Sequence, residues 1–553
     1  MCGICGVFGK NDEKHIRAMT RLLAHRGPDD TSYYSGNKVE LGHNRLGIID
    51  LSEKGNQPLS NEDGSIWITF NGEIYNFEDL RGELEAKGHK FKSKTDTETI
   101  IHAYEEYGIG FANKLDGMFA FGLYDGREGK LVLARDRVGV KPLYYTLSDN
   151  AFLFASEIKA LLNEQNRHLK DLSLDGFFGY NEETPFPDVK ELLPGHTLEV
   201  KLQRDKINVE SKRYWSLDDT VKETNERKIV DELAEKIENS VKQRLVSDVP
   251  IGLFLSGGLD SSLIAALAKK YYKGKLMAFC VGTERSNEFQ NAQEVAGYLG
   301  IELVTKTLSE DDIVRVVPNI IYHLEDCDPR NIELGIMNYY MSKSAREHGI
   351  KVILTGEGPD EIFGGYEDSY HKGRLDYREL VMRLHSNHLK NKDRASMANA
   401  VELRVPYLDN TALLEYSMAI DTSLKVKEGV KKYILRQVAK RYLPRHIAER
   451  EKGHGHVLSG IPFVINDHFG IPKGGSLKAR FDIYKEIFRR VFVNGENYKK
   501  IRADEETIGD FPYIPFIEKG FYPVYEVSPR QGKPQAFFEE DPNFSHSVVG
   551  YKK

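Results

Sequence analysis

Cysteine is scarce. Four thiols in 553 residues are too few for a disulfide framework, so a reducing, cytoplasmic setting is expected. No run of 18 apolar residues occurs and the N-terminus carries no apolar leader, so neither a membrane-spanning helix nor export is expected. Positive charge is not in surplus either. A net charge of -7 argues against broad electrostatic binding to nucleic acid or to anionic membranes. Two nucleotide signatures are missing: there is no G-x-x-x-x-G-K-[ST] loop, and no G-x-G-x-x-G follows a strand, which disfavours hydride transfer. No internal repeat is present. The 40% hydrophobic and 29% charged content is ordinary globular usage, and this length calls for two or three separate cores.

Residues 1–208 read as strands broken by a few helices. Val39–Asp50, Ile66–Ile74 and Lys130–Tyr145 are β-rich, Asp125–Gly129 has hairpin-turn chemistry, and Phe77–Gly88 and Thr97–Gly108 have helical spacing. This pattern predicts an α+β fold built on sheets rather than on alternating βαβ units. The polar stretch Glu210–Arg227 is the expected linker. From 228 to 455 the rhythm changes. Strands at Val249–Leu255, Leu276–Gly282, Ile301–Leu308 and Lys351–Leu354 alternate with helices at Ser262–Tyr272, Glu288–Gly300, Asp311–Leu324 and Ile336–Gly349. Alternation of this kind predicts an α/β doubly wound parallel sheet, whose ligands sit beyond the carboxyl ends of the strands. Residues 456–553 are rich in aromatics, Gly and Lys without clear periodicity, and are left unassigned.

The chain opens Met1-Cys2-Gly3-Ile4-Cys5-Gly6. Removal of Met1 would give Cys2 both a thiol and a free α-amine. That amine titrates near ~7.7–8.0 and can serve as the thiol's own base. Alone, a Cys at position 2 is as readily an ordinary small residue. Cys2 and Cys5 also have C-x-x-C spacing, but no second pair of ligands completes a zinc site. Four further segments follow in order: His25-Arg26-Gly27-Pro28-Asp29, His43-Asn44-Arg45-Leu46, Asn71-Gly72-Glu73-Ile74-Tyr75-Asn76 and Thr95-Asp96-Thr97-Glu98. Singly each has a bland reading, since Asn-Gly is a good turn and Arg45 or Asp96 could be solvated surface charges. Together, behind Cys2, they resemble the class II glutamine amidotransferases, N-terminal-nucleophile hydrolases, and specifically the glutamine-hydrolysing asparagine synthetase branch. The resemblance implies stacked antiparallel sheets between helices. It also implies a role for each matching residue: Arg45 on the α-carboxylate of glutamine, Glu73 and Asp96 on its ammonium, and Asn71 with the Gly72 N–H as the oxyanion hole.

Ser256-Gly257-Gly258-Leu259-Asp260-Ser261-Ser262 follows an apolar strand and opens a helix. Glycines admit a phosphate close to the backbone, and the helix N-terminus with Ser hydroxyls offers donors to it. Asp260 would repel phosphate unless a metal lay between, so it reads as a Mg²⁺ ligand. The run resembles the pyrophosphatase loop of enzymes that adenylate a carboxylate. Thr355-Gly356-Glu357-Gly358-Pro359-Asp360-Glu361 also follows a strand and resembles the family's adenylate-side loop. From that resemblance Gly356 would lie beside ATP, Asp360 would be a second Mg²⁺ ligand, and Glu357 would orient or deprotonate attacking ammonia. Helix-capping acids explain Asp360 and Glu361 almost as well, but not Glu357 between two glycines. By the same resemblance Lys432 neutralises the departing pyrophosphate and Val281 lies against adenine. Met397-Ala398 and Val401–Asp409 match the family's run beneath the active site.

The resemblance covers residues 1 to about 455 and implies ATP and Mg²⁺ as cofactors, glutamine and an acceptor carboxylate, aspartate first, as substrates, and a homodimer. One departure bears on the acceptor. Glu325–Glu333 replaces the family's Thr-Thr-Ile-Arg type run, so Glu333 stands where an arginine is expected, and Arg330 or another cation would have to receive an acidic acceptor. Two other readings stay open. One is an amidotransferase that adenylates a different carboxylate; the other is a non-catalytic sensor of glutamine or ATP, which retention of Cys2, Asp260 and Glu357 disfavours.

Overall fold

The computed structural model describes residues 1–493 apart from 149–150, 164–165, 175–179, 205, 219, 221–222, 287, 367–375, 452–458 and 473–475. The unassigned tail therefore lies largely outside the described residues from 494 onward.

Two six-stranded antiparallel sheets form the first half. One runs in the order β10 (Val189–Glu191), β8 (Tyr144–Ser148), β9 (Ala151–Ala155), β1 (Gly3–Phe8), β3 (Val39–Arg45) and β2 (Asp30–Gly36). The other runs β12 (Lys206–Arg213), β11 (His196–Gln203), β7 (Lys130–Arg135), β6 (Gly117–Asp125), β5 (Ile66–Ile74) and β4 (Leu59–Ser60). Ile4, Phe8, Val39 and Leu41 of the first sheet interlock with Ala120, Tyr124, Leu131 and Leu133 of the second. The helices Phe77–Ala86 and Asp96–Tyr107 cover the outer face of the second sheet with Leu80, Leu84, Ile100 and Ile101. Ile16 and Met19 of the helix Glu13–Leu22 pack with Cys5 and Val7 on the outer face of the first. The result is the helix–sheet–sheet–helix sandwich expected for this half. Lys130–Tyr145 does not form one strand. The Asp136 carboxylate accepts the N–H groups of Phe119, Val140 and Lys141, which pins a turn between β7 and β8. The expected linker is partly strand, since β12 continues to Arg213.

The second half is a five-stranded parallel sheet, β15 (Glu302–Thr307), β14 (Met277–Gly282), β13 (Ile251–Phe254), β16 (Val352–Leu354) and β17 (Glu402–Arg404). The first four strands answer to the apolar runs in the sequence. The fifth, three residues long, lay hidden in the Val401–Asp409 run. The helix after β13 starts at Leu259, not Ser262, so Asp260 and Ser261 belong to its first turn. The helix expected from Ile336 starts seven residues earlier at Pro329, with the Asp328 side chain capping the Arg330 N–H. Pro at the first helical position after an Asp cap is a helix-start signal. Among the described residues no helix is long and apolar enough to cross a membrane.

That earlier start changes the meaning of Glu333. Its side chain does not line the cavity beyond the parallel sheet and meets Arg480, from the helix Ser476–Phe492, at 2.6 Å with both partners 1% exposed. Burial pushes the Glu333 carboxyl up to about 7, and Arg480 pulls against that rise. Phe481, Tyr484, Phe488 and Phe492 of the same helix join Ile313, Val317 and Ile320 in one apolar cluster. The charge reversal and the divergent C-terminal segment are thus two sides of one contact. Arg480→Ala should destabilise the protein by roughly 3–5 kcal/mol because it strands a buried carboxyl, whereas Arg480→Met with Glu333→Leu should lose little; thermal unfolding of the two variants measures the difference.

Candidate active sites

The first site gathers at the start of β1. Cys2 is 7% exposed and donates its N–H to Asn71 Oδ1 at 2.9 Å. Asn71 Nδ2 is buried without a hydrogen-bond partner among the described residues, a donor left for a ligand. At Gly72 a Cβ would sit 2.1 Å from the Met118 carbonyl oxygen, so only glycine lets β5 approach β6 here. Arg45, at the end of β3, donates to Ser52 O at 2.9 Å, to Asn56 Oδ1 at 2.7 Å and to Asp50 O. Asp96 begins its helix and accepts the Ile74 N–H at 2.8 Å; burial raises its carboxyl to about 6. Glu73 is raised well above the usual range, first by burial and then by the Glu402 carboxylate. Burial also raises the Cys2 thiol, while the amino terminus, the Leu46 backbone and Arg45 pull it down.

Several residues of this site stood in segments that the sequence marked but had no role assigned: Arg26 in His25–Asp29, and Glu402 and Arg404 in Val401–Asp409. Arg26, 0% exposed, donates Nε to the Cys2 carbonyl at 3.0 Å and pairs with Glu157 at 2.7 Å and Asp393 at 2.8 Å. Met1 is buried, and its amino group lies 3.3 Å from Glu402 Oε2. Glu402 also holds Arg404 at 2.7 Å, and Arg404 reaches Glu73 at 3.5 Å. Glu402 and Arg404 arrive from β17 in the other half of the chain. No local pattern pairs them with Glu73, because the contact spans more than 300 residues.

The second site lies beyond the carboxyl ends of β13, β14 and β16, around a cavity of about 340 Å³. Ser256, Gly258, Asp260, Ser261, Val281, Gly356, Glu357, Asp360 and Lys432 all line it. Gly257 does not; its φ is +75° and a Cβ there would lie 2.2 Å from the Asn291 carbonyl carbon, so packing fixes it. A Cβ on Gly356 would come within 2.6 Å of the Ser261 N, which is how closely the two loops meet. Lys432 Nζ sits 2.5 Å from Asp260 Oδ2 and 2.8 Å from Asp360 Oδ1. Its own φ of +52° is uncommon for a lysine and is held at the start of the helix Tyr433–Ala439. Two carboxylates therefore converge on one cationic point, and a pair of hard oxygens is the donor set that suits Mg²⁺.

Glu357 accepts from His388 Nδ1 at 3.0 Å and pairs with Lys392 at 3.3 Å. Burial alone would raise its carboxyl, but Lys392 and His388 overcome that and hold it down to about 2. Lys392 continues to Asn338 Oδ1 at 3.0 Å, and Asn338 to Asn391 at 2.6 Å. On the same wall, Arg330 is gripped by Asp328 at 2.8 and 2.6 Å. Of these, His388 and Lys392 had no motif to mark them, whereas Arg330 already stood in the sequence as a candidate cation for an acidic acceptor. They come from helices that tertiary packing alone brings to the loop.

Residues 1–215 match the family model described as a glutamine amidotransferase domain, and residues 232–383 and 374–464 match the one described as asparagine synthase. Asparagine synthetase [glutamine-hydrolyzing] 1 of Bacillus subtilis (strain 168) is 33% identical over 82% of this chain and 86% of its own length. Asparagine synthetase [glutamine-hydrolyzing] 1 of Arabidopsis thaliana is 36% identical over 82% of this chain and 77% of its own. Asparagine synthetase [glutamine-hydrolyzing] 2 of Oryza sativa subsp. japonica is 33% identical over 89% and 86%.

In the chain that retains Met1 the Cys2 thiol is buried, and burial raises it. Trimming Met1 should speed Cys2 alkylation by at least about tenfold, the effect of one pKa unit; intact-mass kinetics with iodoacetamide, before and after aminopeptidase treatment, read this directly.

Proposed function

This chain belongs to the glutamine-hydrolysing asparagine synthetase family, and from that premise we propose that it makes asparagine from aspartate, ATP and glutamine, with AMP, pyrophosphate and glutamate as the other products. The observation that carries the two-site reading is the pairing of β16 with β17. Leu354 is in register with Arg404, and the Thr355 N–H donates to the Arg404 carbonyl at 3.0 Å. Arg404 is the residue that reaches Glu73 in the first site, and Thr355 opens the loop that holds Glu357 in the second. One strand pair therefore joins the two chemistries, and ammonia freed at the first site would pass along it to the second.

In the first site the Cys2 thiolate attacks the side-chain carbonyl of glutamine, with the Cys2 amine as base after Met1 is removed. Asn71 Nδ2 and the Gly72 N–H receive the oxyanion, a donor worth about 3–4 kcal/mol. Arg45 receives the α-carboxylate, and Glu73 and Asp96 the α-ammonium. Ammonia leaves, and water hydrolyses the thioester to glutamate. In the second site the acceptor carboxylate displaces pyrophosphate from ATP, whose adenine lies against Val281 and whose phosphates meet Ser256, Gly258, Ser261 and Gly356, with Gly257 shaping the turn behind them. Asp260 and Asp360 would hold Mg²⁺, which when bound shields the phosphate charge. Lys432 offsets the charge that grows on pyrophosphate. Ammonia then attacks the acyl-adenylate and AMP departs. Glu357, held near pKa 2, is too weak a base to take a proton early; it orients ammonia and stabilises the ammonium that forms. The buried, reduced state of all four cysteines suits a cytoplasmic enzyme.

Cys2→Ala should abolish glutamine-dependent synthesis and leave ammonia-dependent synthesis within about twofold. Pyrophosphate and amide are measured together over a panel of carboxylates with aspartate first, and absence of pyrophosphate release with every acid would reject the synthetase reading. Because the Glu357 carboxyl is depressed, its charged form is complete above the ordinary carboxylate range and is lost only as pH falls toward about 2. Glu357→Gln should therefore lower ammonia-dependent kcat by roughly 10²-fold without changing the shape of its profile between about pH 5.5 and 8.5, with free ammonia held constant.

A further inference from the structure

The outer helices of the first sandwich carry a cluster that neither reaction uses. His102 and Glu105 are three residues apart on the helix Asp96–Tyr107 and so share a face. His102 Nδ1 lies 3.0 Å from Glu105 Oε2. His89, from the segment between this helix and Phe77–Ala86, brings its own Nδ1 to 3.8 Å from the same oxygen. One ligand atom from each of the three side chains falls within 4.8 Å of the others, the one such group among the described residues. Zinc bonds of ~2.0–2.2 Å in tetrahedral geometry place ligand atoms roughly 3.3 Å apart, and the two separations here bracket that value.

The surroundings match what metal-bound imidazoles need. A ligating histidine usually turns its second ring nitrogen toward a carboxylate. His89 Nε2 lies 3.3 Å from Glu106 Oε2, and His102 Nε2, buried without a hydrogen-bond partner, faces Glu98 Oε1 at 3.8 Å. Glu105 is held from behind as well, its Oε1 accepting from Asn61 Nδ2 at 2.9 Å. Phe91 packs edge-on against the His102 ring at 4.6 Å and fixes its plane. His102 is fully buried while His89 and Glu105 are partly exposed, which leaves a solvent side for a fourth ligand.

We propose that His89, His102 and Glu105 bind one divalent cation of the zinc type through two imidazole Nδ1 atoms and one carboxylate oxygen. Two nitrogens in a set of three favour Zn²⁺ or Co²⁺ over Mg²⁺. The ion would staple the segment after the first helix to the second helix. The first residue of that second helix, Asp96, supports the backbone of Ile74 six residues from His102, roughly 9 Å along the axis. The site is independent of the acceptor and of both catalytic centres.

The test uses the full chain carrying Cys2→Ala, which removes the catalytic thiol as a competing ligand, stripped of metal and titrated with Zn²⁺ and with Co²⁺ in excess Mg²⁺. One equivalent should bind, with a visible Co²⁺ band. His89→Ala, at a partly exposed position, should weaken binding by at least about tenfold and remove the band, and Glu106→Gln should weaken it less. Ammonia-dependent synthesis, in which His89 takes no part, verifies that the variant is folded. If no equivalent binds, the cluster is an imidazolium–carboxylate network and the proposal fails. If the equivalent is unchanged in His89→Ala, the ion sits elsewhere and the proposal fails too.

Discussion

A buried ionic seam joins the two halves of the chain, and both sites depend on it. Arg26, Glu157 and Lys159 come from the sandwich; Glu325, Asp393 and Arg394 come from the parallel-sheet half. Arg26 meets Asp393 at 2.8 Å, Arg394 meets Glu325 at 2.6 Å, and Lys159 meets Glu325 at 3.2 Å, with exposures of 0–2%. Glu325 also accepts the N–H groups of Ile158 and Lys159 at 2.8 and 2.6 Å. Such pairs add little net stability, because desolvation offsets their attraction, but deleting one partner is expensive. Their effect is geometric: only one placement of the halves satisfies every charge. Arg26 then transmits that placement to chemistry, since the same guanidinium holds the Cys2 carbonyl.

A second consequence is that electrostatic environments differ sharply over short distances. Glu357 and Glu361 lie four residues apart on one loop and helix. Lys392 and His388 hold Glu357 down to about 2, against its burial. Glu361 is pushed up to about 7 by burial and by its acidic neighbours Asp360 and Glu357, with His388 pulling against them. One stays charged; the other titrates near neutrality. Neighbouring carboxylates thus acquire separate properties from the cations that reach them. Lys432 does the same for Asp260 and Asp360, bringing two like charges to one point that would otherwise repel.

The C-terminal helices have a comparable part at the cavity wall. In the sequence Glu333 reads as an unwelcome negative charge where an acidic acceptor is expected. Arg480 pairs with it on the flank of its helix beside Met337, and the cavity is left to Arg330, Asn331, Leu334, Met337 and Asn338. The helix start set by the Asp328 cap fixes that rotation, so Glu333 turns to Arg480 and its neighbour Leu334 to the cavity.

Local chemistry made much of this protein legible in advance. Cys2, the Asn71-Gly72 pair and the two glycine-rich loops are contiguous words whose meaning depends on residues within one turn or strand end, and the strands β13 to β16 follow from apolar runs between polar loops. Tertiary structure alone decided the rest. Glu402 and Arg404 reach the first site from the far half of the chain, Met1 is paired with Glu402, Glu333 is cancelled by Arg480, and Glu357 owes its charge to a helix that begins 31 residues later. The physical reason is the same in each case. A charge is priced by what surrounds it after folding, and those surroundings are assembled from segments that have no relation along the sequence.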